Sequence, residues 1–150
     1  MKKLCVISTK NPNNILITTI SKLKEYYPDF DIVIIDSDSD NTEIFKNIPD
    51  DVKIEFIKNH NWELGAWYYA VNYYNTYDIY MCIQDSLTPI KSFNLDYNNI
   101  INSDYFYSFH YSASLGQGGY LDELSEVYKD TDLSFICNMN GNTQITGAAH

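Results

Sequence analysis

Acidic side chains that directly follow apolar runs are the residues of this sequence best suited to chemistry. Asp36, Asp38 and Asp40 come after the run Ile32–Ile35, and Asp85 closely follows another apolar run. Carboxylate oxygens are suitable ligands for Mg²⁺ or Mn²⁺, and either ion can bridge a diphosphate. The spacing therefore indicates a site for a divalent cation and for a ligand that carries sugar hydroxyls or phosphates.

A second group of candidates lies in the segment Asn61–Trp67, which reads NWELGAW. Glu63 falls in the first turn of a predicted helix, where the helix dipole favours a carboxylate even without a ligand. Gly65 lies inside the same helix, where glycine costs about 1 kcal/mol relative to alanine. This glycine therefore indicates a close approach of the helix backbone either to the sheet or to a ligand.

Each carboxylate also has a structural explanation. Asp-Ser repeats after a strand are common in solvated turns and helix caps. Asp36 is the best candidate of its group because it is nearest the apolar run. Asp85 is the strongest candidate overall, since Gln84, Asp85 and Ser86 place polar groups where burial ends.

The charge balance excludes several classes of partner. The chain has 20 acidic residues against ten lysines and no arginine, which gives a net charge of -10. Such a protein is repelled by phosphate backbones, so the sequence predicts no nucleic-acid partner and disfavours anionic membranes. Without arginine, an anionic ligand must be neutralised in another way, and a metal ion together with a helix N-terminus would do this.

Size and cysteine content point to one globular domain in a reducing compartment. The chain has 150 residues, of which 45% are hydrophobic, enough for a core without disulfide bonds. Cys5, Cys82 and Cys137 lie in apolar runs without metal-ligand spacing, and we expect buried free thiols. No apolar stretch approaches the roughly 18 residues of a membrane span, so the predicted location is cytoplasmic. Abundant Asn, Ile, Lys and Tyr are typical of an AT-rich genome, such as that of a large DNA virus.

The elements that must position these residues alternate between strand and helix patterns. Strands are predicted at Leu4–Ile7, Ile32–Ile35, Val52–Phe56 and Ile79–Ile83, and helices at 11–27, 42–47 and 61–74. Continuous apolar strands that alternate with helices are typical of a mostly parallel, doubly wound, Rossmann-like α/β sheet. Its ligand should lie beyond the carboxyl ends of the strands.

Two details of the helices are also predicted. Pro12 suits the first position of the first helix, and Asn61 is placed to cap the third. In the third helix, the apolar stripe Leu64, Trp67, Tyr68 and Val71 is expected to pack in the core. The tyrosines at 68, 69, 73 and 74 are expected to pack there too, although exposed tyrosine rings can also stack on sugars.

After Pro89 the pattern is weaker. A loop or short helix is expected at 92–102, strands at 105–111 and 133–137, a small-residue loop at 112–119 and a helix at 121–128. We therefore divide the domain into residues 1–90, which carry the candidate site, and a partial second half, 91–150, that ends as if interrupted.

Three segments together resemble the nucleotide-sugar-binding half of GT-A glycosyltransferases. Ile32–Thr42 (IVIIDSDSDNT) resembles family-2-type transferases, in which an apolar strand runs into Asp-x-x-Ser-x-Asp-x-Thr. Asn61–Trp67 is similar to the Asn-x-(Asp/Glu)-x-Gly-Ala-Trp segment of rhamnan-synthesis-type relatives. Ile83–Pro89 (IQDSLTP) is similar to their Asp-Ser motif at the site of the DxD element. The three segments occur in the family's order, and the resemblance covers residues 3–90.

The resemblance implies transfer of a sugar from a nucleoside diphosphate sugar, with a UDP-sugar favoured, to the hydroxyl of a saccharide or other acceptor. The donor would be bound by Thr9, Asp36, Ser37, Asp38, Glu63, Gly65 and Gln84, with Asp85 as the ligand of Mn²⁺ or Mg²⁺. In the family, the residue matching Asp36 contacts the base. The DxD element is reduced here to Gln84-Asp85-Ser86, so Asp85 supplies its one certain carboxylate.

An inverting transferase also needs a carboxylate base near the acceptor hydroxyl. By sequence order, Asp122 and Glu123 are the acidic pair placed for this role, after the predicted small-residue loop.

Two alternatives stay open. One is a catalytically inactive or truncated GT-A-like module, which the reduced DxD element and the abrupt end favour. The other is a flavodoxin-like or receiver-like domain. Against the receiver, the third strand ends in Ile57-Lys58-Asn59 without an aspartate. Against the flavodoxin, the segment Ser8–Asn11 lacks the glycine of a phosphate loop.

Overall fold

The described part of the chain, residues 1–93 and 95–102 of a computed structural model, alternates strands with helices. Its elements are β1 (Lys3–Thr9), α1 (Ile15–Tyr26), β2 (Asp31–Ser37), a 3₁₀ helix (Glu43–Asn47), β3 (Lys53–Ile57), α2 (Trp62–Tyr73), β4 (Ile79–Gln84) and α3 (Tyr97–Ile101). The elements predicted from residue 105 onward lie outside the described residues.

The four strands form one parallel sheet in the order β3-β2-β1-β4. Val6 of β1 pairs with Val33 of β2 on one side and with Cys82 of β4 on the other. The chain moves outward from β1 to β2 and β3, and then crosses to the opposite edge for β4. The doubly wound α/β prediction is thus confirmed, and the strand order reverses between β1 and β4, where such sheets bind ligands.

Both faces of the sheet are buried. Successive side chains of a strand point to opposite faces, so the continuous apolar runs of β1 and β2 supply apolar side chains to both. Cys5 and Ile7 pack on the face covered by α1, whereas Leu4 and Val6 pack on the face covered by α2. Ile34 of β2 is 0% exposed, and a fully buried isoleucine contributes about 1.5 to 3 kcal/mol to folding. Burial of this kind sets the register and so aligns the carboxyl ends of the strands at one edge.

Helix α1 packs on the sheet through the predicted stripe, but it begins later than predicted. Leu16, Ile20 and Leu23 are buried at helical spacing. Pro12 is not the first helical residue, because Asn11 has a φ of 52° and belongs to the loop after β1. The helix begins instead at Ile15.

The stripe predicted to bury α2 is wrong in part. Leu64 is 49%, Tyr68 67% and Val71 41% exposed, whereas Ala66 and Ala70 are fully buried against the sheet. Apolar side chains occur on every side of α2, so periodicity does not single out one face. The small alanine side chains form the central contact, and larger rings pack beside them. Tyr69 and Tyr74 do pack there as predicted, whereas Tyr73 is exposed.

The two cysteines in the described residues are free thiols in the interior. Cys5 is fully buried and Cys82 is partly buried. Burial raises the pKa of the Cys82 thiol to about 12, and burial likewise raises the pKa of Cys5. Neither is a thiolate at neutral pH, so neither supplies a nucleophile. Within the described residues, no helix combines the length and apolar character that crossing a membrane requires.

Candidate functional site

The carboxyl ends of the strands and the loop after β3 enclose a cleft of about 600 Å³. Its lining residues are Ser8, Thr9, Lys10, Ser37, Asn59, His60, Trp62, Glu63, Gln84 and Asp85. They come from the ends of β1, β2 and β4 and from the start of α2. The cleft therefore includes the switch point between β1 and β4, as the parallel topology predicts.

Asp85 is held at the floor of the cleft by the end of β1. The hydroxyl Oγ1 of Thr9 donates a hydrogen bond of 2.5 Å to Oδ2 of Asp85. The backbone N–H of Asp85 donates to the carbonyl oxygen of Ser8 at 3.1 Å. Because Thr9 is itself 5% exposed, this contact holds the Asp85 carboxylate close to the buried end of β1.

Asp36 has a different environment. It is 1% exposed, and its carboxylate accepts hydrogen bonds from the hydroxyl and the backbone N–H of Ser39. The Ser39 hydroxyl in turn accepts a bond of 2.6 Å from the backbone N–H of Asn11. Asp36 thereby ties the loop after β2 to the loop after β1. Neither Asp36 nor Asp38 is among the cleft-lining residues, and the contact of Asp36 with a base stays a prediction.

Replacing Asp36 by alanine should destabilise the protein by about 1 to 3 kcal/mol, because the Ser39 donors lose a partner inside the fold. Chemical denaturation followed by circular dichroism measures the change. Asp36→Asn, which keeps one carbonyl acceptor, should lose less. Equal stability of Asp36→Ala and the wild type would contradict this structural role.

Asn59 organises the start of α2. Its Nδ2 donates to Oγ of Ser37 at 3.0 Å and to the carbonyl oxygen of Trp62 at 2.7 Å. Its Oδ1 accepts from the backbone N–H of Asn61 at 2.9 Å. The predicted capping role of Asn61 is therefore wrong: Asn61 occupies the N-cap position, but its side chain makes no capping hydrogen bond.

Gly65 provides the space that Asn59 occupies. A Cβ atom at Gly65 would lie 2.0 Å from Oδ1 and 2.8 Å from Cγ of Asn59, closer than any non-bonded contact allows. A close approach does occur at this glycine, but the neighbour is a side chain from the loop after β3 and not the sheet or a ligand as predicted. Gly65 thus leaves the space for Asn59, which lines the cleft.

The structure brings five of the predicted site residues together in the cleft lining. The residues brought together are Thr9, Ser37, Glu63, Gln84 and Asp85. Asp36, Asp38 and Gly65 lie outside the lining, and Asp122 and Glu123 lie outside the described residues.

Sequence reasoning missed Ser8, Lys10, Asn59, His60 and Trp62. Lys10 is the one lysine in the described lining, and it offers a charge that an anionic ligand requires. Its position directly after the first apolar strand could have identified Lys10 as a candidate for the site. The role of Asn59 carried no comparable signal, because its partners Ser37 and Trp62 converge only in the folded chain.

The acidic groups of the cleft do not form a metal site by themselves. Among residues 1–93 and 95–102, no three His, Cys, Asp or Glu side chains lie close enough together to hold a metal ion. Asp85 and Gln84 nevertheless present hard oxygen atoms. Mg²⁺ is commonly held by one or two carboxylates together with substrate phosphates. The donor set fits an ion that is bound jointly with a diphosphate.

The fold and the position of the cleft define an α/β Rossmann-like domain. The structure is similar to that of S. aureus TarS, a glycosyltransferase, with a TM-score of 0.50 and 12% sequence identity. The match covers 75% of this chain and 24% of TarS, so the chain spans about a quarter of that protein. The sequence matches no protein-family model and no curated protein. At this identity the similarity shows the fold alone.

Proposed function

We propose that this chain acts in glycosyl transfer. It binds a nucleoside diphosphate sugar in the cleft, and the sugar passes to the hydroxyl of a saccharide or another acceptor. The observation that carries this proposal is the carboxylate of Asp85, held by Thr9 at the switch point of a parallel sheet. The glycosyltransferase-like fold supports it.

The chemistry of the lining suits such a donor. Lys10 supplies a positive charge, and the side chains of Ser8, Ser37 and Gln84 offer polar atoms for hydroxyl or phosphate oxygens. Asp85 would hold Mn²⁺ or Mg²⁺, which, when bound, neutralises the charge of the diphosphate. Among donors a UDP-sugar is favoured, because the motifs resemble UDP-dependent family-2-type enzymes.

Transfer requires one bond to form and one to break. The oxygen of the acceptor hydroxyl forms a bond to the anomeric carbon, while the bond from that carbon to the diphosphate breaks and the nucleoside diphosphate leaves. The hydroxyl proton goes to a carboxylate base, for which Asp122 and Glu123 are the sequence-based candidates. The sugar transferred is proposed to be a hexose. The free thiols in the described residues fit a cytoplasmic location.

A thermal-shift screen of the purified 150-residue chain tests the proposal. The probes are UDP-, GDP- and dTDP-sugars, each with Mn²⁺ or with chelator. A ligand that binds only the folded state raises the Tm. At a ligand concentration of 100 times Kd, the folded state is stabilised by about 2.7 kcal/mol. We expect a Mn²⁺-dependent rise in Tm with one nucleotide class, and we expect that class to be the UDP-sugars. A well-folded sample whose Tm responds to none of them contradicts the proposal.

A binding module without transferase activity is the second candidate. It is favoured by the single carboxylate of the reduced DxD element, Gln84-Asp85-Ser86. Release of UDP from a bound UDP-sugar in the presence of saccharide acceptors separates the two. Binding with turnover supports the transferase, and binding without it supports the module.

A further inference from the structure

Trp62 combines a strained backbone with an exposed aromatic ring. It is the first residue of α2, it lines the cleft, and it is 83% exposed. Its φ is 52°, in the left-handed region that residues with a Cβ atom avoid. Neither the backbone conformation nor the solvated indole stabilises the described fold. A function outside folding would account for a tryptophan at this position.

Neighbouring residues hold Trp62 in this conformation. Asn59 donates a hydrogen bond of 2.7 Å to the carbonyl oxygen of Trp62 and one of 3.0 Å to Ser37 at the end of β2. Gly65 leaves the space that the Asn59 side chain needs. The position of Trp62 is thus tied to the sheet edge, and the ring is attached to a fixed backbone at the cleft wall.

Trp62 and Asp85 line the same cleft from different elements. The carbonyl oxygen of Trp62 shares the Asn59 amide with Ser37 at the end of β2. Asp85 follows β4, and its carboxylate accepts a hydrogen bond from Thr9 at the end of β1. A ligand that reaches both residues extends across the strand ends, with a charged group near Asp85 and a flat group near Trp62.

We propose that Trp62 stacks on the nucleobase of the donor and thereby positions it. The inference rests on the proposed function. In a nucleoside diphosphate sugar the base is the planar end, and the ribose separates it from the diphosphate that would lie toward Asp85. Base-aromatic stacking is sequence-tolerant and changes affinity by roughly 5- to 150-fold when the aromatic ring is removed.

Tryptophan fluorescence tests the contact directly. The described chain has two tryptophans, and Trp67 donates its Nε1–H to the carbonyl oxygen of Ile83 at 3.4 Å. Trp67→Phe leaves Trp62 as the reporter, and Trp62→Phe leaves Trp67. Titration with UDP and Mn²⁺ should quench the fluorescence of Trp67→Phe strongly and that of Trp62→Phe weakly. Methyl glucoside, which has a sugar ring but no base, should quench neither; quenching by the glycoside but not by UDP would overturn base stacking.

Affinity and stability provide a second test. Trp62→Gly should lower UDP affinity by roughly ten-fold or more without lowering the Tm, since glycine adopts a φ of 52° without strain. Trp62→Tyr, which keeps a ring, should bind within a few-fold of wild type. Wild-type affinity in Trp62→Gly would overturn the inference. A large loss of Tm in the same variant would also overturn it, because the ring would then serve the fold.

The two proposals can fail separately. Isothermal titration of UDP with Mn²⁺ is compared among the wild type, Asp85→Asn and Trp62→Gly. If Asp85→Asn loses binding and Trp62→Gly keeps it, only the stacking inference is wrong. If the folded wild type binds no nucleotide, the proposed function is wrong and the stacking inference fails with it.

Discussion

Asp85→Asn is expected to weaken binding of UDP with Mn²⁺ by roughly 100-fold or more, since even partners outside the metal shell change metal affinity 10- to 100-fold. The substitution removes the negative charge but keeps a carbonyl oxygen that can accept the hydrogen bond from Thr9. Folding stability should therefore stay close to that of the wild type. Isothermal titration calorimetry measures the affinity, and a thermal melt without ligand measures the stability.

Asp50→Asn is the matched control for this loss. Asp50 is an exposed residue in the turn before β3, so it lies toward the amino ends of the strands, away from the cleft. The Asp50→Asn substitution removes the same charge, and this variant should bind UDP like the wild type. Chelator added to the wild type should reproduce the effect of Asp85→Asn. Equal affinities for Asp85→Asn and the wild type, with Mn²⁺ present, would show that Asp85 does not hold the ion.

Gly65→Ala is expected to destabilise the protein by about 2 to 3 kcal/mol, although alanine is the better helix former by about 1 kcal/mol. The new Cβ atom would lie 2.0 Å from Oδ1 of Asn59, so the Asn59 side chain must leave. Its hydrogen bonds to Ser37, Asn61 and Trp62 are then lost, at about 1 kcal/mol each. Urea denaturation followed by circular dichroism measures the difference.

A double-mutant cycle identifies the cause of this destabilisation. In an Asn59→Ala background the clash with Oδ1 is absent, and the remaining short contact is 2.9 Å to Cβ of Asn61. Gly65→Ala should therefore cost much less in that background than in the wild type. A rise in stability for the single Gly65→Ala variant would show that helix propensity dominates and that Asn59 moves aside without loss.

The fold could be predicted largely from local patterns. The runs at Ile32–Ile35 and Ile79–Ile83 are apolar without alternation, which occurs when a strand is covered on both faces. Helical periodicity in α1 identified Leu16, Ile20 and Leu23 as its buried face. The same method failed for α2, because its apolar residues surround the helix. There the choice of face depends on which side chains are small enough to contact the sheet.

The candidate site could be predicted only in part. Asp85 was predicted from its position after a buried strand, and the structure places it in the cleft. Asp36 has a similar position in the sequence but is 1% exposed and bonded to Ser39. Both aspartates follow apolar strands, so the sequence pattern does not distinguish a carboxylate that lines the cleft from one that closes a loop.

From the sequence alone, the alternation of apolar runs determined a parallel α/β sheet and the edge at which polar residues gather. Only the tertiary structure decided which of those residues meet. Thr9 and Asp85 are 76 positions apart, and Ser37 and Asn59 are 22 apart. Burial periodicity reports on one element at a time, whereas these hydrogen bonds depend on strand order and register. For that reason the positions of Asn59, Gly65 and Trp62 became interpretable only in the folded chain.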